Sequence, residues 1–493
     1  APFSHSGPWP FPLDYRPVFF VLGILLSTLA FSMMVPMLAD LSVGHPDWQT
    51  FAISAAFTLF VGVSLLLTNR MPEFTLSIRQ AFLLTTLSWV VTAAFAAVPL
   101  MLAEMGLSYT DAFFEAMSGI TTTGATVIVG LDNAPPGILL WRALLQWMGG
   151  IGIIVLALSV LPMLQVGGMQ LFRTESSEKS DKVLPRAAQL ASWIGLIYLG
   201  FTALCAVGYR LAGMGWFDAF AHAMTTIATG GFSTADASVA FFDDPLVELV
   251  GITFMLAGAL PFVLYLRALR GDLRPLLADR QVQWFAAVVT AAIAIMAAHL
   301  WLERDYEPLA ALRLASFNVV SVITGTGYAT SDFGTWGPFA AGLMFFLMFV
   351  GGCAGSTSCG IKIFRFQVLY ATADAQMRRL IQPHGVFIAY YNGKPIPEAV
   401  SVSVMSFFFL YALCFVVLSL SLQLLGLDYL TAMSGAATAI SNVGPGLGPV
   451  IGPSGTFAPL PDAAKWVLSA GMLMGRLELF TVLVLLTPAF WRQ

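Results

Sequence analysis

Four short segments rich in Thr, Ser and Gly carry the residue types best suited to bind a monovalent cation. They read DAFFEAMSGITTTGATV (111–127), DAFAHAMTTIATGGFST (218–234), LRLASFNVVSVITGTGYAT (312–330) and DYLTAMSGAATAISNVGPGLG (428–448). A dehydrated cation needs oxygen ligands in place of its water, and backbone carbonyls can supply them where glycine allows a positive φ. Thr and Ser hydroxyls add further ligands or hydrogen bonds. The segments therefore predict a cation-binding site.

The four segments can be aligned with one another. Three begin with Asp, a Met lies at a similar place in three (Met117, Met224 and Met433), and each leads through a polar stretch to a glycine. A single segment of this kind could be a helix contact, where small residues let backbones approach. Four in matching positions favour a ring of ligands instead. The candidate ion-binding residues are Thr122, Thr123, Gly124, Ala228, Thr229, Gly230, Gly325, Thr326, Gly327, Asn442, Val443 and Gly444.

The composition indicates which elements hold these segments. Hydrophobic residues make up 58% of the 493 residues, charged residues 10%, and the mean hydropathy is +0.82. Since a soluble domain carries about 25% charge, this chain must use lipid as its solvent. Apolar runs long enough to span a bilayer start near residues 17, 50, 80, 136, 188, 246, 282, 337, 399 and 464. Each candidate segment lies between two runs and begins with an amphipathic stretch too short to span, which is typical of a re-entrant helix and loop.

We therefore predict an all-α integral membrane protein with a fourfold pseudo-symmetric repeat of helix, pore loop and helix around one central pore. Residues 1–72 form an extra N-terminal helix pair. The repeats occupy residues 73–172, 173–275, 276–380 and 381–493.

The distribution of charge predicts the orientation. With the re-entrant segments outside, most of the 23 Lys and Arg residues lie on the inner side, as the positive-inside rule requires. Acids such as Asp111, Glu115, Asp218 and Asp236 then lie on the outer side, where they would concentrate cations at the mouth. A mixed-charge inner stretch, 173–186, predicts a solvated loop or a docking surface for a cytosolic partner.

A glycine-rich stretch interrupts the third repeat. Residues 351–360 contain four glycines with Ser and Thr, so they cannot form a stable continuous helix. The break is either a packing kink or a movable plug beneath the ring. Of these two alternatives we favour the movable plug.

Arg476 lies within the last apolar run, where a charge is costly and usually functional. Either it pairs with Glu478 or another buried acid as structural glue, or its charge lies near the permeation path. His222, in the second segment, is expected to be packed or outward-facing rather than a ligand.

The sequence also disfavours other classes of function. No Ser/His/Asp arrangement, HExxH or Walker motif is present, and there are only five histidines, so a membrane enzyme is disfavoured. A net charge of −4 without a basic tail gives no sign of nucleic-acid binding. A coupled symporter, a non-selective cation pore and a non-conducting subunit remain alternatives to a selective pore.

Taken together, these motifs resemble the Trk/Ktr/HKT superfamily of potassium transporters. The extra helix pair and the sequences TTTGAT (121–126), ATGGFST (228–234) and SNVGPGLGP (441–449) point to the bacterial TrkH type. The resemblance implies K⁺ as the permeant ion and filter glycines at Gly124, Gly230, Gly327 and Gly444. It implies no organic cofactor.

The resemblance also implies how the pore is gated and assembled. The sequence GGCAGSTSCGIK (351–362) is similar to the family's intramembrane loop, and GRLE (475–478) matches a motif whose arginine faces the pore. The implied gate residues are Gly351, Gly352, Gly355, Ser356, Thr357, Gly360, Lys362 and Arg476. The resemblance further implies a homodimer in the bacterial inner membrane, with the pore loops facing the periplasm and a cytosolic ring of nucleotide-binding regulatory subunits docked to it.

Overall fold

The computed structural model describes residues 14–71, 76–159, 168 and 183–492, with the backbone alone for 158–159 and 183–190. Within these ranges the chain is helical apart from one short hairpin and its loops. The predicted inner stretch 173–186 lies largely outside the described residues. Helices suit this sequence because a spanning helix satisfies its own backbone hydrogen bonds in lipid.

Seven helical stretches in the described part of the chain are long and apolar enough to cross a membrane. The first, Arg16–Val43, consists of α1 (Arg16–Ser32) and α2 (Met34–Val43). The others lie within α3 (Trp48–Thr68), α4 (Ile78–Leu102), α6 (Pro136–Ser159), α7 (Val183–Leu211), α12 (Arg280–Glu303) and α16 (Glu398–Leu424). Their starts agree closely with the predicted apolar runs.

Three predicted runs are broken rather than continuous. The run near 246 consists of α9 (Pro245–Ala259) and α10 (Phe262–Leu269), bent by 97° at Pro261. The run near 464 consists of α19 (Asp462–Arg476) and residues Phe480–Leu486, bent by 111°. The run near 337 ends early, because α14 (Pro338–Leu347) stops before the glycine-rich stretch and α15 (Ile363–Ile381) begins after it.

Four short helices lie between these spans. They are α5 (Tyr109–Ile120), α8 (Trp216–Ile227), α13 (Pro308–Thr324) and α17 (Tyr429–Ser441). The side chains of Ser108 and Asp428 cap the first and the last by accepting hydrogen bonds from backbone amides in the first turn. All four are largely buried at their C-terminal ends, so each delivers its following loop into the interior of the protein.

Smaller elements connect these parts. They are α11 (Arg274–Ala278), α18 (Gly448–Ile451), α20 (Phe480–Leu483) and α21 (Pro488–Arg492), 3₁₀ turns at Leu131–Asn133, Ser238–Phe241, Phe333–Trp336 and Val484–Leu486, and a hairpin of β1 (Tyr390–Tyr391) and β2 (Lys394–Pro395).

Small residues let the spans pack closely. A Cβ added at Gly23 of α1 would lie 2.7 Å from the carbonyl oxygen of Gly62 on α3, so this contact requires glycine. Two large apolar clusters fill the interior, one around α4, α5 and α17 and the other around α8, α12 and α13. Between them lie the ends of the four short helices.

Candidate functional site

The four short helices end in loops with one shared backbone pattern. A residue with positive φ follows each helix, then a residue with negative φ, then a glycine with positive φ. The first positions are Thr122 (52°), Thr229 (50°), Gly325 (74°) and Asn442 (53°), and the third are Gly124 (88°), Gly231 (78°), Gly327 (80°) and Gly444 (107°). In each loop the amide of the middle residue donates a hydrogen bond to the carbonyl oxygen five residues earlier. The four bonds are Thr123 to Ser118 (2.8 Å), Gly230 to Thr225 (2.9 Å), Thr326 to Ser321 (2.8 Å) and Val443 to Thr438 (3.1 Å). This is the hydrogen bond of a Schellman helix end.

The pattern corrects the alignment of the second segment by one residue. Gly231, rather than Gly230, has the positive φ and matches Gly124 of the first loop. Gly230 matches Thr123, and Ala228 is the last residue before the loop rather than part of it. The sequence carried a signal for this register, because Gly124 and Gly231 both lie thirteen residues after the Asp that begins their segments.

The loops meet one another in cyclic order. A Cβ at Gly124 would collide with the carbonyl oxygen of Gly230, one at Gly231 with that of Thr326, and one at Gly327 with that of Val443. A Cβ at Gly444 would lie 2.8 Å from the carbonyl oxygen of Thr123, which closes the ring. Glycine is therefore required at the third position for two reasons: it adopts the positive φ without strain, and it has no side chain to collide with the next loop.

The carbonyl groups of the ring are largely free. Among the described residues, no hydrogen bond ends on the carbonyl oxygens of Thr122, Thr123, Gly325, Thr326, Asn442 or Val443. Buried carbonyls nearly always find a partner. A ring of buried carbonyls without one can bind a cation in place of its water.

The second loop is held by a residue that sequence reasoning missed. Gln146 of α6 donates to the carbonyl oxygen of Gly230 at 2.6 Å and accepts from the amide of Phe232 at 3.0 Å. It is fully buried. A lone Gln in an apolar helix was the only signal in the sequence.

A buried ion pair braces the first two loops from outside. Arg142 donates to Glu115 at 2.7 Å and to the carbonyl oxygen of Ser233 at 2.8 Å. Glu115 also accepts from the hydroxyl of Thr126 at 2.9 Å and the amide of Val127 at 2.9 Å. The expectation that Glu115 is one of the acids that attract cations at the mouth is therefore wrong, because this carboxylate is buried and neutralised by Arg142.

The other acids named for the outer side lie closer to water. Asp236 is exposed, and Asp111 and Asp218 are partly buried. Asp428 caps α17, and the hydrogen bond that its carboxylate accepts from the backbone amide of Thr431 at 3.0 Å lowers the pKa of this carboxyl. This carboxylate therefore stays charged at neutral pH.

Hydrogen bonds between side chains connect the third and fourth loops to the adjacent loops. Tyr328, which follows the third glycine, contacts the hydroxyl of Thr225 at 2.5 Å. His222 is buried, with Nε2 at 3.0 Å from the Ser233 hydroxyl, so it is packed as expected. The Asn442 amide donates to the Thr123 hydroxyl at 2.9 Å and to the carbonyl oxygen of Met472 at 2.8 Å, which joins the fourth loop to the first and to α19.

The glycine-rich stretch lies against the helix ends of the ring. The two ends of the stretch lie side by side, and the amide of Gly351 donates to the carbonyl oxygen of Ile361 at 2.9 Å. The Thr357 hydroxyl donates to the carbonyl oxygens of Ile227 and Gly258 at 3.0 and 2.9 Å. The Cys359 sulfur lies 3.5 Å from the Thr122 hydroxyl. The whole stretch from 351 to 359 is buried.

Arg476 is bonded to this stretch rather than to an acid. It is 3% exposed and donates to the carbonyl oxygens of Thr357 at 3.1 Å and Gly149 at 3.2 Å, and to the Cys359 sulfur at 2.6 Å. No carboxylate of the described residues pairs with it. Glu478 instead pairs with Arg365. The alternative in which Arg476 is neutralised by Glu478 is therefore wrong.

A narrow cavity of 20 Å³ lies beside these groups and reaches Asn442 of the ring. It is lined by Ser358, Cys359, Lys362, Asn442, Arg476 and Glu478, among others. The Lys362 ammonium donates to the carbonyl oxygen of Ser358. With the ion pair of Glu478 and Arg365 neutral overall, two positive side chains remain beside the cavity. It has room for about one water molecule.

On the opposite face of the ring a second cavity of 70 Å³ is lined by all four glycines of the third position, Gly124, Gly231, Gly327 and Gly444. The ring therefore lies between this second cavity, an open recess, and the small cavity on its other side. Helices of membrane-spanning length around a ring of buried carbonyls are the arrangement expected of a cation-transport protein.

Comparison with known proteins places the chain in a family. The family model described as TrkH, cation transport protein, matches residues 47–492. The chain belongs to the TrkH family of cation transport proteins. The prediction of a membrane transporter rather than an enzyme, and of an all-α integral membrane fold, is confirmed.

The relatives are similar over their full lengths. The chain is 50% identical to the Trk system potassium uptake protein TrkI of Halomonas elongata, over 97% of each chain. It is 38% identical to the Trk system potassium uptake protein TrkH of Escherichia coli, over 98% of this chain and 100% of that protein. The crystal structure of the potassium transporter TrkH from Vibrio parahaemolyticus matches it with a TM-score of 0.91 and 38% identity, over 97% of this chain and 100% of that one.

Proposed function

We propose that this chain takes up K⁺ across the bacterial inner membrane through the ring of four loops. The observation that carries the proposal is the closed ring of buried carbonyl oxygens, of which six at the first and middle positions accept no hydrogen bond among the described residues. The names of the relatives support K⁺ as the ion, since those compared are potassium uptake proteins or a potassium transporter. K⁺ is then the substrate, and the chain's own residues need no organic cofactor.

The ring acts as the selectivity filter in this proposal. A K⁺ ion sheds water in the outer recess and exchanges it for the carbonyls of the first and middle loop positions. The Thr123 and Thr326 hydroxyls are held by neighbouring groups, at 2.7 Å from the hydroxyls of Thr121 and Thr324. These contacts fix the middle positions around the ion. An inside-negative potential then contributes about 2.3 kcal/mol per elementary charge per 100 mV to uptake.

The glycine-rich stretch and Arg476 form the gate in this proposal. The stretch fills the space beneath the ring, and Arg476 presents an unneutralised charge to it. A cation resting at ~7 Å from that charge is raised in energy by roughly 0.5–2.5 kcal/mol, depending on the local dielectric constant. Conduction therefore requires the stretch to move aside.

The assembly proposed is a homodimer that docks a cytosolic ring of nucleotide-binding regulatory subunits. The relatives are named as proteins of a Trk potassium uptake system, which supports a second component. With the pore loops facing the periplasm, the gate side faces the cytosol and any such component.

The test is K⁺ flux into proteoliposomes containing a glycine variant. Gly231→Ser places a side chain against the backbone of the third loop and should reduce K⁺ flux at least tenfold or admit Na⁺. Gly44→Ser is the matched control, since Gly44 has a similar φ of 75° but nothing within 4 Å of an added Cβ. Equal K⁺ flux and equal exclusion of Na⁺ in both variants would reject the ring as the pathway.

The same assay separates the alternatives. In a coupled symporter, K⁺ uptake follows an imposed H⁺ or Na⁺ gradient at zero voltage. A non-selective pore passes Na⁺ as readily as K⁺.

A further inference from the structure

A second cavity lies far from the ring, where α12 and α15 meet the hairpin. We call it the hairpin pocket; it has a volume of 710 Å³, and residues 386–393 line it together with Arg280, Trp284, Gln367, Tyr370, Asp374 and Arg378, among others. A volume of this size is typical of small-molecule sites. The ion pathway described above uses none of these residues.

The pocket lies at one boundary of the membrane. Arg280 is the first residue of the span Arg280–Glu303, and the third short helix follows the other end of that span. The pocket is therefore at the end opposite the ring. Trp284 lies one turn into the same span and its ring is 5.7 Å from that of Tyr370, as expected for aromatic residues at the level of lipid head groups.

The pocket carries a positive charge that the protein leaves unneutralised. The Arg280 guanidinium is exposed, and its nearest partner is the Gln283 side-chain oxygen at 3.5 Å. No carboxylate of the described residues pairs with it. Arg378, by contrast, pairs with Asp374 at 2.9 Å. Arg280 is thus available to an anion such as a phosphate group.

The pocket also holds a buried acceptor without a donor. Gln367 is 6% exposed and uses its amide nitrogen to donate to the carbonyl oxygen of Arg280 at 2.7 Å. Its side-chain oxygen has no hydrogen-bond partner among the described residues. Leaving a buried acceptor unsatisfied costs about 1–3 kcal/mol, so the site favours a ligand that brings a hydroxyl or amine donor.

The rim of the pocket is apolar where it faces outward. Val386 is 88% exposed, Ile388 51% and Tyr370 63%. Such side chains would be unfavourable in water, and they suit contact with the upper acyl chains of a lipid. A soluble phosphate ester would leave them uncovered.

From these features we infer that the hairpin pocket binds the head group of an anionic phospholipid that carries hydroxyl groups, of the phosphatidylglycerol class. Arg280 binds the phosphodiester, Gln367 accepts from a head-group hydroxyl, and the aromatic residues cover the glycerol backbone. Helix α15 begins at Ile363, directly after the gate residue Lys362. A lipid bound in the hairpin pocket therefore contacts the helix that follows the gate in the chain. The inference goes beyond the proposed K⁺ pathway, and its readout is lipid retention, so it is judged independently of ion flux.

The test is native mass spectrometry of the purified full chain, delipidated in detergent and titrated with phosphatidylglycerol or phosphatidylcholine. We expect phosphatidylglycerol to be retained and phosphatidylcholine not, because the latter has no hydroxyl or amine donor and no net charge. Arg280→Gln should weaken retention at least fivefold, and Arg280→Lys, which keeps the charge, should restore most of it.

Arg274→Gln is the matched control, an exposed arginine nearby on α11 that does not line the pocket. It should bind phosphatidylglycerol as the wild type does. Equal retention of both lipids, or equal loss in the variants at 280 and 274, would overturn the inference. Displacement of the lipid by soluble glycerophosphoglycerol at similar concentration would also overturn it, because the pocket would then take a free phosphodiester.

Discussion

At the scale of single residues, the third loop position shows why glycine is needed in the ring. Each of these glycines has a positive φ and a neighbouring carbonyl where a Cβ would be. The first position is less strict, since Thr, Thr, Gly and Asn occupy it with similar backbone angles. Asn tolerates the left-handed region well, whereas a β-branched Thr is strained there. The surrounding hydrogen bonds must hold Thr122 and Thr229 in place.

Arg476 gives the first prediction at this scale. Arg476→Gln removes the charge below the ring, so K⁺ flux through the chain without partners should rise, about fivefold for a change of roughly 1 kcal/mol in the barrier. Radioactive or fluorescent K⁺-flux assays in proteoliposomes would measure it. Arg476→Lys keeps the charge and serves as the control. Unchanged flux in the Gln variant would show that this charge does not restrict permeation.

The buried pair of Glu115 and Arg142 gives the second. Glu115→Leu leaves Arg142 buried without a carboxylate, which costs about 3–5 kcal/mol in comparable cases, so thermal unfolding in detergent should begin at a clearly lower temperature. The double variant Glu115→Leu with Arg142→Met removes both charges and should recover part of the loss. A double variant no more stable than the single one would contradict the account in which Glu115 is needed chiefly to neutralise the buried charge of Arg142.

At the scale of elements, the sequence predicted the spans well and their breaks poorly. Long apolar runs locate helices because lipid demands them. A bend of 97° at Pro261 lies inside one such run, and hydropathy does not record it. The glycine-rich break after α14 was predicted because four glycines weaken a helix directly.

The loops also show that sequence patterns predict some features and miss others. Three of the four loop registers followed from the alignment, and the second failed because two adjacent glycines, Gly230 and Gly231, both fit the local pattern. Contacts such as that of Gln146 with the second loop join residues 84 positions apart. Such pairs depend on tertiary packing, which spacing along one chain does not reveal.

The glycine-rich stretch gives a prediction for the gate as an element. Cys359 lines the small cavity, whereas Cys353 is fully buried away from it. A small cationic thiol reagent should therefore block K⁺ flux only after the stretch has opened, and Cys359→Ser should abolish the block. Cys353→Ser is the control and should remain sensitive. Block at the same rate in closed and open conditions would mean that the stretch does not gate access.

At the scale of the whole molecule, four loops far apart in sequence are joined into one ring by contacts that run in cyclic order. Each loop is fixed from outside by a different device, among them Gln146 for the second and Asn442 for the fourth. The spanning helices hold the loops in position and separate them from the lipid. In the proposed function the chemistry of permeation is concentrated in a few backbone carbonyls, and uptake then needs no energy source other than the ion gradient and the membrane potential.

The most direct test of this account is the reversal potential of the current carried by the purified chain in a planar bilayer, with high K⁺ on one side, low K⁺ on the other, and Na⁺ making up the difference at equal pH. The account predicts a current that reverses close to the K⁺ equilibrium potential and does not shift when a pH gradient is added. A reversal near zero would mean that the ring does not select K⁺, and a reversal that follows the H⁺ or Na⁺ gradient would contradict a simple K⁺ pathway.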